Sequence, residues 1–173
     1  MELIRGLYNL RDKHRGCVLT IGKFDGVHLG HQAVLSQVLE KAKALGLPAT
    51  VMVFTPLHAP ARLSVLRDKY SQLQALGIDR LLCIKFSPEF AAYSAEQFVE
   101  NLLVDLLDVK FLVVGDDFRF GRGRVGDFAY LQKEGEKCHF DVASTQSFRV
   151  ENCRISSTAV REALASGNFS LAQ

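Results

Sequence analysis

Thr20-Ile21-Gly22-Lys23-Phe24-Asp25-Gly26-Val27-His28-Leu29-Gly30-His31-Gln32 is the stretch whose reading decides the fold of this chain. The residues leading into it, Cys17 to Ile21, read Cys-Val-Leu-Thr-Ile, an apolar run without polar alternation, as a strand covered on both faces requires. Gly22 and Gly26 then let the backbone turn where a side chain would obstruct it. The helix that follows offers unpaired N–H groups and the positive end of its dipole, which together make an anion site. His28 and His31 stand three apart on its first turn, so both rings project from one face, with Gly30 between them allowing a ligand to approach closely. Taken alone, such a pair also suits a surface accident or a metal site.

Working outward, the chain alternates strands and helices. A helix from about Gly30 to Leu45 carries Val34, Leu35, Val38, Leu39, Ala42 and Leu45 on one stripe and stops at Gly46, with Pro48 just beyond. Ala49 to Phe54 is a second buried strand, and Leu63, Leu66, Tyr70, Leu73 and Leu76 make a second amphipathic helix ended by Gly77. Leu81 to Phe86 is the third strand, Ser87-Pro88 opens a short helical turn, and Ser94 with Gln97 forms a capping box for a helix bearing Phe98, Val99, Leu102, Leu103, Leu106 and Leu107. Lys110 to Val114 is the fourth strand. Asp127 opens a further helix, Cys138 to Ala143 is the fifth strand, Ser144 to Cys153 pairs as a hairpin, and Ser156 or Ser157 caps a last helix ending near Gly167. This spacing predicts an α/β fold: a Rossmann-like, doubly wound, five-stranded parallel sheet, ordered 3-2-1-4-5 by position in the chain, with a small β-hairpin appendage. Strands one and four are then neighbours where the winding reverses, and ligands bind beyond their carboxyl ends.

Composition narrows the class. At 173 residues with 48% hydrophobic and 23% charged content, the chain is one ordinary domain, residues 1–173. There is no membrane segment and no signal peptide at the N-terminus, so the expected location is cytoplasmic. Cys17, Cys83, Cys138 and Cys153 are scattered without a Cys-x-x-Cys pair, and the first three lie in or beside expected strands, which favours reduced core thiols. A net charge of +2 does not argue for nucleic acid, although Arg119, Arg122 and Arg124 cluster locally. Gly121-x-Gly123-x-x-Gly126 matches a dinucleotide fingerprint, but it stands several residues beyond the fourth strand and so cannot make the tight strand-to-helix turn that fingerprint requires. It is not a Walker A loop either, because Asp127-Phe128 follows where Lys and Ser or Thr belong.

Gly22-x-Phe24-Asp25-Gly26-x-His28-x-Gly30-His31 resembles the His-x-Gly-His signature of the nucleotidylyltransferase superfamily, and its extended form resembles the FMN adenylyltransferase domain of bacterial bifunctional riboflavin kinase/FAD synthetase. Two further stretches share that resemblance: Gly115-Asp116-Asp117-Phe118-Arg119-Phe120-Gly121, and Ile155-Ser156-Ser157-Thr158-Ala159-Val160-Arg161, which is similar to the second superfamily signature throughout. Read without it, the latter is a helix N-terminus whose hydroxyls, N–H groups and arginine cradle a phosphate as readily as they cap a helix.

The resemblance implies transfer of AMP from ATP to FMN, giving FAD and pyrophosphate, with ATP and FMN as the partners and neither nucleic acid nor membrane involved. It implies His28, His31 and Arg161 as catalytic residues, the histidines giving hydrogen bonds and charge to the α-phosphate. ATP contacts then fall to Gly22, Phe24, Asp25, Gly30, His31, Asp117, Ser156, Ser157, Thr158 and Arg161, and flavin contacts to Phe54, Pro56, Asp116, Phe118 and Phe120. Magnesium would accompany ATP, held mostly by phosphate oxygens and water, with Asp25 or Asp117 as weaker candidates and no ligand set assigned. Asp117 stands where some relatives carry Asn, and Lys23 where they often carry Asn. Relatives also have a longer flap between the Phe-x-Pro-x-Pro run and Ala-Arg-Leu than Phe54 to Leu63 provides here. The β-barrel riboflavin kinase domain of the bifunctional family has no counterpart in this sequence, so the expectation is adenylylation of FMN without phosphorylation of riboflavin. Other readings are a sister nucleotidylyltransferase with another phosphorylated acceptor, a non-catalytic nucleotide- or flavin-binding module, and a nicotinamide-dependent dehydrogenase resting on the misplaced glycine motif.

Overall fold

The structure is a computed structural model that describes residues 1–25, 27–55, 66–145, 149–150 and 153–154. Its centre is a parallel sheet of six strands: β1 (Glu2–Arg5), β2 (Cys17–Ile21), β3 (Ala49–Thr55), β4 (Arg80–Lys85), β5 (Val109–Gly115) and β6 (Asp141–Thr145), ordered β1-β4-β3-β2-β5-β6. The five strands expected from the sequence stand in the expected order, and β1 adds an edge beside β4, with Glu2 opposite Arg80. Four residues with charged ends carry too little apolar pattern to declare a strand. What holds β1 is tertiary. The buried His14 ring accepts the Arg11 N–H at Nδ1 (2.9 Å), which leaves Nε2–H to donate to Glu2 (3.1 Å). Arg80 donates to the carbonyls of Lys13 and His14.

Each strand divides its side chains between two cores, as the pleat dictates. Cys17, Leu19 and Ile21 of β2, Met52 of β3, Leu82 and Ile84 of β4 and Leu112 and Val114 of β5 face one side. That side is covered by α3 (Pro88–Ala91), by α4, which runs Ala95–Gln97 and continues as a π-helix over Phe98–Leu106, and by α5 (Phe128–Cys138). Val18, Val51, Val53, Leu81, Cys83 and Val113 face the other, under α1 (Leu29–Leu45) and α2 (Leu66–Ala75). The caps read from sequence are present: Gly46 closes α1 in the left-handed conformation, and Ser87, Ser94 and Asp127 accept the backbone N–H groups that open α3, α4 and α5.

Two boundaries differ from the sequence reading. The fifth expected strand, Cys138 to Ala143, starts only at Asp141: α5 runs through Cys138, and His139 turns the chain in a left-handed cap. Cys138 is therefore a half-buried helical thiol, whereas Cys17 and Cys83 are buried in β2 and β4, and all three are unpaired. The hairpin between Ser144 and Cys153 reduces to β7 (Arg149–Val150) antiparallel to β8 (Cys153–Arg154). Leu63 and the last expected helix, Ser156 to Gly167, lie outside the described residues. No helix among the described residues is long and apolar enough to cross a membrane.

Gly135 sits inside α5 where a Cβ would meet the carbonyl oxygen of Phe140 at 2.4 Å. An ordinary helical Gly→Ala change stabilises by up to about 1 kcal/mol. Here Gly135→Ala is expected to destabilise by about 1–3 kcal/mol because backbone must move. Denaturant unfolding checks the sign, and a gain in stability would contradict this packing.

Candidate active site

The His28 turn opens at the carboxyl end of β2, the strand flanked by β3 and β5. Chain passes outward from β2 through α1 to β3, and returns from β4 through α3 and α4 to β5 on the opposite side, so the winding reverses between β2 and β5. Thr20 of β2 lies opposite Val113 of β5, and the loop after Gly115 thus emerges beside the turn after Ile21. This adjacency brings together stretches almost a hundred positions apart in sequence.

Within the turn, Gly22 is needed for space: a Cβ there would meet the Phe24 ring at 2.9 Å. The left-handed backbone falls on Phe24 (φ 45°) and Val27 (φ 38°), both buried. Positive φ at a bulky and at a β-branched residue is strain held in place by the surroundings. Gly26, expected to share the turning, lies outside the described residues. Asp25 is buried at the same turn, and Gln32 donates to the Val27 carbonyl (3.2 Å), tying α1 back to it.

His28 is the N-cap of α1, its Nδ1 accepting a long bond (3.4 Å) from the His31 backbone N–H, so the ring's remaining proton is on Nε2. The two rings stack, with centroids 3.7 Å apart and planes 19° from parallel, and Phe24 leans on His31 at 4.9 Å. His31 Nδ1 is buried without a hydrogen-bond partner among the described residues. Burial first, then the neighbouring His28 and Lys69, push the His31 pKa down to about 3 against an opposing effect of Asp25. Burial also lowers that of His28, with Asp25 opposing. The sequence reading gave these histidines charge as well as hydrogen bonds. In the structure they are neutral donors at pH 7, because two stacked, partly desolvated imidazoles do not both accommodate protons. Gly30 is the second residue of α1.

The second loop is a turn in which the Phe118 N–H bonds the Gly115 carbonyl (3.1 Å), placing exposed Asp116 and Asp117 just beyond β5. From there the glycine-rich segment is anchored to α4. Phe120 and Gly126 exchange both backbone hydrogen bonds, the Arg122 N–H bonds the Tyr93 carbonyl (2.7 Å), and a Cβ on Gly121 would meet the Ala95 nitrogen at 2.7 Å. It is a closed, docked turn displaying Arg122 and Arg124, not a strand-to-helix dinucleotide turn.

Of the expected flavin residues, Phe54, Phe118 and Phe120 belong to one aromatic cluster on the α3–α5 side, and Asp116 stands exposed in the loop after β5. Phe54 at the end of β3 contacts Phe86 and Phe90, Phe90 contacts Tyr93 and Phe98, and Phe98 leads through Phe120 to Phe118 and Tyr130. Phe120, expected to touch flavin, is 5% exposed and walled by Phe98, Phe118 and Gly126, so it braces the loop from within the core. Phe86, not singled out for the site, is the open edge of the cluster at 45% exposure. Its signal was a large aromatic immediately after a strand end. Pro56, Ser156, Ser157, Thr158 and Arg161 lie outside the described residues. Among the described residues, no group of three or more His, Cys, Asp or Glu side chains is arranged to hold a metal ion.

Comparison with known proteins follows the same line. The FAD synthetase family profile matches residues 10–159. The chain is 52% identical to a bifunctional riboflavin kinase/FMN adenylyltransferase of Escherichia coli K12, over 100% of this chain and 58% of that protein, and 48% and 47% identical to proteins of the same name from Pseudomonas fluorescens and Haemophilus influenzae, over all of this chain and 58% and 59% of theirs. It thus spans under two thirds of these relatives' length. The Escherichia alignment covers 182 positions, more than this chain has residues, so that relative carries segments absent here. A crystal structure of a Streptococcus pneumoniae protein described as macrolide-efflux shares the fold at TM-score 0.86 and 24% identity, covering 99% of this chain and 59% of that one. Signature, switch-point geometry and relatives agree, and the chain belongs to the FAD synthetase family.

Proposed function

We propose that this chain transfers the adenylyl group of ATP to the phosphate of FMN, releasing FAD and pyrophosphate. The observation that carries the reading is the stacked His28–His31 pair at the start of α1, set where the sheet's winding reverses, in a chain of the FAD synthetase family. An oxygen of the FMN phosphate attacks the α-phosphorus of ATP, a new P–O bond forms, and the bond to the β-phosphate oxygen breaks with its electron pair leaving on pyrophosphate. The attacking phosphate is already an anion, so the protein need not supply a strong base; alignment and charge stabilisation lower the barrier.

In this reading, His28 turns its Nε2–H toward the α-phosphate, and His31 is steadied by stacking on His28 and Phe24, with the N–H groups of α1 behind both. Ser156, Ser157, Thr158 and Arg161 hold the β- and γ-phosphates. Asp117 lies on the nucleotide side of the loop after β5. Flavin lies against the aromatic wall of Phe54 and Phe86, with Phe118 at its far end. Magnesium would accompany ATP as its counter-ion and offset charge on the phosphates. The two candidate carboxylates, Asp25 in the turn and Asp117 beyond β5, stand on separate loops and suit contact through water.

Incubation with ATP, magnesium and FMN, followed by chromatography, is expected to yield FAD and pyrophosphate; consumption of neither substrate would contradict the proposal. Because His31 acts as a neutral donor, His31→Gln should retain more turnover than His31→Ala, which is expected to lose at least about 100-fold. Equal losses would remove neutral hydrogen bonding from the role of this residue.

The same residue makes stability pH-dependent. His31 titrates at about 3 when folded and at 6.5 when unfolded, so between these values the unfolded chain binds a proton that the folded chain refuses. Stability is therefore intact above 6.5 and falls as pH drops toward 3. Melting temperature should decline less steeply with acid in His31→Gln than in the parent. Parallel declines would contradict the burial assigned to His31.

A further inference from the structure

Among the described residues, three buried side-chain atoms lack a hydrogen-bond partner: Thr20 Oγ1, Thr50 Oγ1 and His31 Nδ1. Buried hydroxyls and ring nitrogens are costly to leave unpaired, so each calls for a reason. Thr50 pairs across the sheet with Leu19, whose side chain belongs to the α3–α5 core, and it lies against the Cys17 thiol on that side. The other two atoms share the opposite side. Thr20 of β2 is flanked by Val51 of β3 and Val113 of β5, both members of the core under α1 and α2, and it is fully buried among them.

His31 reaches the same place from the helix. Leu35, Val38 and Ala42 form the buried stripe of α1, and His31, one turn before Leu35, continues that stripe toward the helix start. Because α1 connects the parallel strands β2 and β3, it runs back against β2, and its start lies over that strand's carboxyl end. Thr20 is the last side chain on this face of β2, since Gly22 follows two residues on. Phe24 closes the corner between them: a Cβ on Gly22 would meet its ring at 2.9 Å, and its centroid stands 4.9 Å from that of His31.

This placement bears on which nitrogen of His31 carries the proton. A neutral imidazole donates from one nitrogen and accepts at the other, and the bond made at one fixes the proton on the other. For His28 the His31 backbone N–H makes that choice, leaving the proton on Nε2. For His31 a donor to Nδ1 would make the same choice, and a threonine hydroxyl is such a donor.

We propose that Thr20 is a positioning residue for His31: its hydroxyl donates to Nδ1, directly or through one water, and holds the ring proton on Nε2, so that both histidines offer an Nε2–H to the phosphates of ATP. The inference rests on the adenylyl-transfer reading and extends it to a strand residue that the family resemblance leaves without a role.

The test compares Thr20→Val, which keeps the shape and removes the hydroxyl, with Thr20→Ser, which keeps the hydroxyl. Nitrogen-15 NMR of the His31 ring at neutral pH, without substrate, is expected to show Nε2 protonated in the parent and in Thr20→Ser, and a mixture of tautomers in Thr20→Val. Turnover of Thr20→Val is expected to fall at least about tenfold with KM for ATP within about threefold of the parent, and Thr20→Ser should recover most of the loss. Parent tautomer and turnover in Thr20→Val would overturn the proposal, and so would equal losses in the two variants. Thermal melts give a second reading, because replacing a hydroxyl that bonds nothing by a methyl group stabilises a core. A melting temperature of Thr20→Val above that of the parent would therefore contradict the bond. A parent that shows the expected tautomers yet makes no FAD would refute the FMN reaction and leave the role of Thr20 toward His31 standing.

Discussion

The pairing of β2 with β5 is the constraint on which the rest of the molecule depends. From β2 the chain winds outward through β3 to β4, and because the winding then reverses, the other flank of β2 is filled by a strand from far along the sequence. That neighbour is β5, and its arrival at the flank of β2 is what lets Gly115 to Phe118 open beside Gly22 to Asp25. The two cores serve this arrangement. One packs α1 and α2 under the histidine turn, and the other packs α3, α4 and α5 under the aromatic wall. The nucleotide and flavin portions of the proposed site thereby fall on opposite sides of one sheet, meeting at its edge of strand ends.

Local strain belongs to the same logic. Phe24 and Val27 adopt left-handed backbone that isolated chain would avoid, and both are buried in the core that α1 and α2 make with the sheet. Burying these two side chains fixes the turn, the turn fixes the N-cap, and the N-cap fixes the stack of His28 on His31. Neutral imidazoles at such a site act through oriented N–H groups. That places the demand for positive charge on groups elsewhere in the proposed site.

Much of this was legible in the sequence. The unbroken apolar strands, the Ser and Asp caps and Gly46 declared the alternation, and the alternation implied the order of five strands. The histidine pair and the helix start that carries it were visible from spacing alone. What escaped had tertiary causes. β1 exists because His14, Glu2 and Arg80 tie a short tetrapeptide with charged ends to β4. The end of α5 was misread because Gly135 and the Phe140 carbonyl pack closely enough to carry the helix through Cys138. Phe120 was given as a flavin contact by the family resemblance, which does not show that the loop docks on α4 and turns the ring inward.

The most direct measurement of the central claim is nitrogen-15 NMR of the His28 and His31 rings at neutral pH, with and without a non-hydrolysable ATP analogue. The account predicts two neutral imidazoles, His28 protonated at Nε2, whose ring signals both move when the analogue binds. Rings already charged before the analogue is added, or an analogue that binds while leaving both rings unperturbed, would contradict it.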